Sequence, residues 1–334
     1  LSELEDPVVT LLRLINTKIR VTKDNGSLAS ILATKEAYDR ELLKERDAQI
    51  TLGLDSSLDQ KLELAGRLRR RYMVFRCNVY TVDKAAPGAD AGKVMRDKVT
   101  AQINAIIREN RNLPYQTIYN FYGLGYPSGD PHKAFDAVAN SELLPSSTMW
   151  IELSNENYQK LWSSDDVRHS KSTTLVVGDY ALMLFRFKIN ARANCVKKLV
   201  LSFEGYAVPP APGYHNGVTI KIWNHLASEW QNAQSVQTDV MTDVTLTITI
   251  SANFGNFIDS NGYVWLLART TNPADGGPAI LQCDFVQCTI EVNGITFCDV
   301  ISYRNIDVTD VKPYLFKTEF LLKGWLFESI SGVF

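Results

Sequence analysis

The sequence predicts an α+β chain that is mainly β, with an N-terminal α/β layered domain followed by a β-sandwich. Three observations carry this. Two segments within the first 110 residues repeat apolar side chains at helical spacing. From about residue 190 apolar and polar residues alternate with a period of two. The strands so marked are short and are divided by Asn-Gly, Gly-Gly and proline-rich turns, the pattern of a sandwich. A chain of 334 residues, 45% hydrophobic and 22% charged, has the composition of folded protein and the length for two domains. The expected divisions are residues 1–190 for the platform, 191–292 for the sandwich, and 293–334 for closing strands that complete the first domain or an arm.

The first helix is expected over residues 7–18. Asp6 caps it, Pro7 takes its first position, and Val8, Leu11, Leu12 and Ile15 make one apolar stripe. Asn25-Gly26 signals a hairpin. Residues 47–54 read as a short strand, and Tyr72, Val74, Phe75, Val79 and Tyr80 as a strong one. The cluster Arg67, Arg69, Arg70 and Arg71 sits at the mouth of that strand and is expected to be a solvated face or a subunit contact. A turn over 85–91 leads into the second helix, residues 90–110, whose stripe is Val94, Val99, Ile103, Ile106 and Ile107. Residues 112–146 read as an aromatic-rich excursion, and 163–172 as a polar, solvated loop. Tyr180 to Phe187 form a strand.

In the second half, strands are expected at 196–205, 217–224, 244–251, 262–269 and 279–292. Residues 289–300 read as a hairpin around Asn293-Gly294. Phe316 to Phe327 holds Phe320, Leu321, Leu322, Trp325, Leu326 and Phe327. It makes one or two further strands, either returned to the N-terminal sheet or added to a neighbour's sheet.

Ile222-Trp223-Asn224, Trp230, the run from Ile258 to Leu266, Leu281 and Asp284-Phe285-Val286 together resemble the jelly-roll modules of archaeal surface proteins and of structural proteins of tailed viruses. The resemblance covers residues 195–292 and implies a jelly-roll-like β-sandwich. The N-terminal half, through its Asp6-Pro7 helix, the strand after Arg71, the helix ending at Ile107-Arg108 and the strand near Arg186, is similar to connector or tail-completion components of virions. What the two resemblances imply is a structural component of a virion or other extracellular assembly, connector, tail or capsid-associated, made of repeated copies and other structural proteins. Such modules also serve adhesion, so the alternative is a glycan- or cell-surface-binding module. They sometimes hold a structural calcium, for which Asp239, Asp243, Asp259, Asp275 and Asp284 lie near strand ends.

The remaining chemistry narrows the classes. A formal net charge of -2 gives no bulk attraction for nucleic acid or anionic lipid, though it is compatible with a local basic patch. No run of 18 apolar residues marks a membrane span. Five widely spaced cysteines, Cys77, Cys195, Cys283, Cys288 and Cys298, suggest buried thiols more than a disulfide framework. The histidines His132, His169, His215 and His225 have no zinc-helix spacing, and no nucleophile elbow is present. No catalytic residue, metal set or cofactor is therefore assigned. The self-assembly candidates are Tyr115, Tyr119, Tyr122, Tyr126, Phe320 and Trp325. The glycan-stacking candidates are Trp223 and Trp230, with Trp265 alternating with Tyr263 on one side of its strand.

Overall fold

A computed structural model describes residues 2–35, 37–39, 41–62, 68–84, 91–125, 131–208, 216–238, 241–310 and 312–329. The chain divides into two compact units, one of residues 3–117 with 292–334, the other of residues 118–291. The division falls at 118, not near 190. Residues 133–188, read as part of a platform, supply strands to the sandwich.

The first unit is a five-stranded sheet in the order β1 (Ile31–Thr34), β2 (Ala48–Lys61), β3 (Leu68–Val82), β16 (Leu315–Ser329), β15 (Phe297–Val308). The β1–β2 pair is parallel and the pairs from β2 to β15 are antiparallel. Helices α1 (Pro7–Lys18) and α3 (Gly92–Glu109) share its core; a short α2 spans Leu42–Glu45. The Asp6 side chain accepts from Val8 N at 2.9 Å, the expected cap. Leu11, Leu14 and Ile15 of α1 and Val99, Ile103 and Ile107 of α3 are buried with Phe75, Val79, Phe320 and Leu322 of the sheet. The core also holds a buried ion pair. Arg13 donates to both oxygens of Glu5 at 2.6 Å, and Thr10 Oγ1 donates to Glu5 Oε2 at 2.6 Å.

β14 (Ile280–Val292) and β15 belong to different sheets, so the hairpin expected around Asn293-Gly294 does not form. The closing strand β16 instead lies between β3 and β15, in register from Leu315 opposite Val82 to Ser329 opposite Leu68.

The second unit is a sandwich. One sheet runs β11 (Glu229–Thr238), β10 (Asn216–Asn224), β13 (Tyr263–Thr270), β8 (Tyr180–Lys188), β5 (Lys133–Ala139), β6 (Ile151–Glu152). The other runs β12 (Val244–Ile250), β9 (Val196–Val208), β14, β4 (Gln116–Tyr119), with β7 (His169–Ser172) also paired to β14. Successive strands switch repeatedly between the sheets, a jelly-roll-like path. A short helix, α4 (Asn155–Gln159), buries Tyr158. Alternation fixes the inner faces. Phe185 and Phe187 of β8 meet Phe203 of β9 and Phe121, with ring centroids 5.4 to 6.2 Å apart. Gly205 of β9 sits where a Cβ would come within 2.1 Å of the Gln282 carbonyl on β14, so this close strand approach admits no side chain. All five cysteines are free and buried, and burial pushes the Cys77 thiol up to about 12. Among the described residues no helix is long and apolar enough to cross a membrane.

Candidate functional site

The six-stranded sheet turns one face to the core and the other outward. Its outward residues follow from the register. On β8 they are Tyr180, Leu182, Leu184, Arg186 and Lys188, because Phe185 and Phe187 point inward. Tyr263, Trp265 and Leu267 of β13 lie opposite Lys188, Arg186 and Leu184. Lys133 and Phe135 of β5 lie opposite Arg186 and Leu184 on the other side. Trp223 of β10 shares the face of Lys221, which lies opposite Leu267, and Trp230 of β11 lies opposite Trp223. One face thus carries Trp230, Trp223, Trp265 and Tyr263 from three adjacent strands.

Half of that face is covered. Ala137, Ala139, Leu182 and Leu267 form an apolar cluster on which Leu143, Trp150, Tyr180 and Trp230 pack. The indole N–H of Trp230 donates to Leu143 O at 3.0 Å and that of Trp150 to Leu144 O at 2.9 Å. Glu142 pins the same segment by ion pairs to Lys221 at 2.7 Å and Arg269 at 2.8 Å. Burial alone would raise the Glu142 carboxyl. Hydrogen bonds from Lys221 and Arg269 outweigh it, so its pKa lies below the ordinary value and the carboxylate stays ionised at neutral pH.

The other half is open. Tyr263, Trp265, Phe135, Lys133, Arg186 and Lys188 are all half-buried there. The Arg186 guanidinium lies 4.5 Å from the Tyr263 ring centroid and 5.6 Å from that of Trp265, and Lys188 Nζ lies 5.0 Å from Tyr263. Lys133 is paired with Glu152 at 2.8 Å.

The tryptophans singled out from sequence meet on this face without both being open. Trp223 is 8% exposed, edge-on to Trp230 with centroids 5.1 Å apart. They floor the covered half, and the accessible rings are Tyr263 and Trp265. The self-assembly candidates scatter. Tyr119 is buried in the sandwich, its hydroxyl accepting from Asn190 N at 3.3 Å. Phe320 is 1% exposed, in the core of the first unit. Neither is a surface contact, because alternation turns each inward. Tyr115 is half-buried, and its carbonyl accepts from Val292 N. Tyr122 is 55% exposed beside Trp162, with centroids 5.7 Å apart. Trp325 stacks on Phe297, with centroids at 3.8 Å, on the sheet face away from α1 and α3. Tyr126 lies outside the described residues, as do Arg67, His215 and Asp239.

Arg70 and Arg71 of the arginine cluster are held locally. Arg71 pairs with Asp59 at 2.8 Å and Glu328 at 3.0 Å, and Arg70 lies over the rings of Phe327, Tyr72 and Trp325.

The loop expected at 163–172 is not wholly solvated. Its last four residues form β7, which buries His169 with Nε2 3.1 Å from Asp136 Oδ2, while Lys171 Nζ donates to Asp136 Oδ1 at 2.6 Å. Opposite His169 in register stands Cys283, whose thiol burial pushes well above its usual value. A thiol held protonated is a poor nucleophile. Of the aspartates weighed for calcium, Asp243 and Asp284 come together with Asp166, with ligand oxygens within 4.8 Å of one another. Arg168 already occupies the position of a counter-ion, bonding Asp243 at 2.6 Å and Asp166 at 2.5 Å. Asp259 instead caps its own turn, accepting from Asn261 N and Tyr263 N.

The sequence profile of a family described as "AF_1625_C: Uncharacterized protein, C-terminal domain" matches residues 132–292. No curated protein matches. Among solved structures the chain is similar to the xylan-binding module CBM15 at 12% identity and a TM-score of 0.30, over 53% of this chain and 97% of the module. It is also similar to a structure described as "CBM4 structure and function", at 11% and 0.26, over 48% of this chain and 95% of that one. A third similarity is to the CBM22-1 xylan-binding domain of Xyn10C from Paenibacillus barcinonensis, at 12% and 0.22, over 38% and 84%. Likenesses of this size carry no argument about function, which rests on the geometry of the face.

Proposed function

We propose that the sandwich is a non-catalytic carbohydrate-recognition module whose ligand lies on the open half of the outward face. The observation that carries this is the row of Tyr263 and Trp265 on β13, half-buried and held rigid on a central strand, with hydrogen-bond donors from β8 and β5 beside it. Sugar rings present C–H faces that stack on aromatic planes and hydroxyls that pair with fixed polar groups, and such a site needs no cofactor. The carboxylates of the face favour binding over hydrolysis. Glu142 is held below the ordinary carboxylate range by Lys221 and Arg269, whereas a glycosidic general acid needs a raised pKa.

The expected result is that Trp265→Ala weakens binding to the best glycan on an array by about thirtyfold, near 2 kcal/mol, with the melting temperature little changed. Full binding by the Trp265 variant ends this assignment. Trp223→Ala is a poorer probe, because its buried ring also supports the fold.

A role in a virion or other extracellular assembly, the chain repeated and joined to further structural proteins, has one observation of its own. Strand β15 ends its sheet, and Ile301, Tyr303 and Val308 on it are 48%, 51% and 42% exposed. An unpaired edge with apolar side chains is a template for a second chain. Light scattering at micromolar concentration is expected to give a multiple of the chain mass that falls to the monomer in Asn305→Pro. A monomer throughout removes this second reading.

A further inference from the structure

The charges of the recognition face are unevenly balanced. Lys133 is neutralised by Glu152, and Lys221 and Arg269 by Glu142. Arg186 and Lys188 have no such partner among the described residues. Arg186 Nε donates to the Pro131 carbonyl at 3.2 Å, and Lys188 Nζ donates to the Asn261 carbonyl. Both acceptors are neutral, and the further contacts of these cations are the faces of Tyr263 and Trp265. Among the described residues no carboxylate bonds either of them. The aspartate of the adjoining turn, Asp259, has Oδ1 committed to the backbone N–H groups of Asn261 and Tyr263.

Two half-buried cations that no described carboxylate bonds stand side by side, so a ligand that supplies negative charge is favoured there. They stand two residues apart on β8, about 7 Å along the strand and on the same side of it. A planar guanidinium held over rings still offers its outer N–H groups as a fork for a carboxylate or sulfate, and the ammonium adds a point charge. We infer that the open half-face, Tyr263, Trp265, Arg186 and Lys188, takes an anionic glycan, its sugar ring against Trp265 and its acidic substituent against Arg186 and Lys188. This rests on the carbohydrate-recognition reading and specifies the class of sugar within it. The acidic group is the carboxylate of a uronic acid or a sulfate ester, and the two share the charge and the acceptor oxygens that the site reads.

The test uses the full chain and four proteins: parent, Arg186→Gln with Lys188→Gln, Trp265→Ala, and Lys197→Gln with Lys198→Gln as a control for charge elsewhere on the sandwich. Each is checked for an unchanged melting temperature. Isothermal titration is run with polygalacturonate, dextran sulfate and neutral xylan at about 0.02 M and about 0.3 M NaCl, across which screening grows several-fold. The expected result is binding to polygalacturonate or dextran sulfate, whichever carries the right substituent, at least about tenfold tighter than to xylan. It is expected to weaken about tenfold or more in the Arg186/Lys188 variant and at the higher salt, to weaken about thirtyfold in the Trp265 variant, and to be kept by the control. Equal affinity for xylan, unaltered in the Arg186/Lys188 variant, overturns the anionic specificity and leaves carbohydrate recognition standing. Binding of the polyanions that ignores Trp265 and weakens equally in the control is ion exchange and overturns the site. If the parent binds none of the three and no glycan on an array, the recognition reading falls, and this inference with it.

Discussion

Deletion of residues 314–334 is expected to unfold the first unit. Strand β16 is interior to the sheet, bonded to β3 along fifteen residues and to β15 on its other edge. It also sends Phe316, Phe320, Leu322 and Leu326 into the core. Fully burying a side chain of this size contributes about 1.5–3 kcal/mol, so the four contribute roughly 6–12 kcal/mol, comparable with the whole net stability of a typical domain. The deletion also strips hydrogen-bond partners from two strands, and backbone groups left unpaired in a buried sheet add to the cost. Circular dichroism is expected to show lost strand signal, and limited proteolysis rapid cleavage within residues 3–117. A truncated chain that folds as a monomer but no longer assembles would show that β16 is donated to a neighbour. One that melts like the parent would refute the pairing.

The second large effect is expected at Glu5. Its carboxylate is 5% exposed and satisfied by both terminal nitrogens of Arg13 and by the Thr10 hydroxyl. Glu5→Leu takes from a guanidinium that is 4% exposed the carboxylate bonded at both of its terminal nitrogens, and removing one partner of a buried pair costs about 3–5 kcal/mol. Replacing both, Glu5→Leu with Arg13→Met, removes charge and counter-charge together and is expected to recover most of that loss. Urea titration of the two variants measures the difference. Additive losses in the double variant would show that the pair is not coupled as its geometry indicates.

The parts of this fold that can be read locally are those whose signals are local. Asp6-Pro7 marks the start of α1 because capping chemistry is completed within three residues. The alternating, β-branched runs of β9, β10, β13 and β14 declare themselves because one side of each faces the core. Strands β5, β7 and β11 do not. Lys133–Ala139 alternates with small alanines, His169–Ser172 is almost wholly polar, and Glu229–Thr238 is a largely polar segment at a sheet edge. Without β5 and β7 the sandwich is read as starting some seventy residues too late. The outward aromatic face is half legible. The alternation of Tyr263 with Trp265 places both rings on one side of a strand. That Arg186 lies beside Trp265, and Lys188 beside Tyr263, depends on pairing between strands far apart in sequence, which no local pattern encodes. The covering segment with Glu142 and Trp150 was hidden for the same reason. It turns Trp223 and Trp230 from open platform into floor.

The placement of β16 also bears on how the chain is made. Val82 must find Leu315 as its partner. At about 5–20 residues added per second, the ribosome separates the two by roughly 10–50 s. During that interval residues 3–117 have emerged with β3 present and its principal neighbour absent, leaving an apolar strand with an unmatched edge. The strands of residues 118–291 all emerge before β16, and a local pair of strands closes in microseconds once both are present. The order of synthesis therefore favours a sandwich formed while the N-terminal sheet still waits. Through that interval the edge of β3 that β16 later covers stays open.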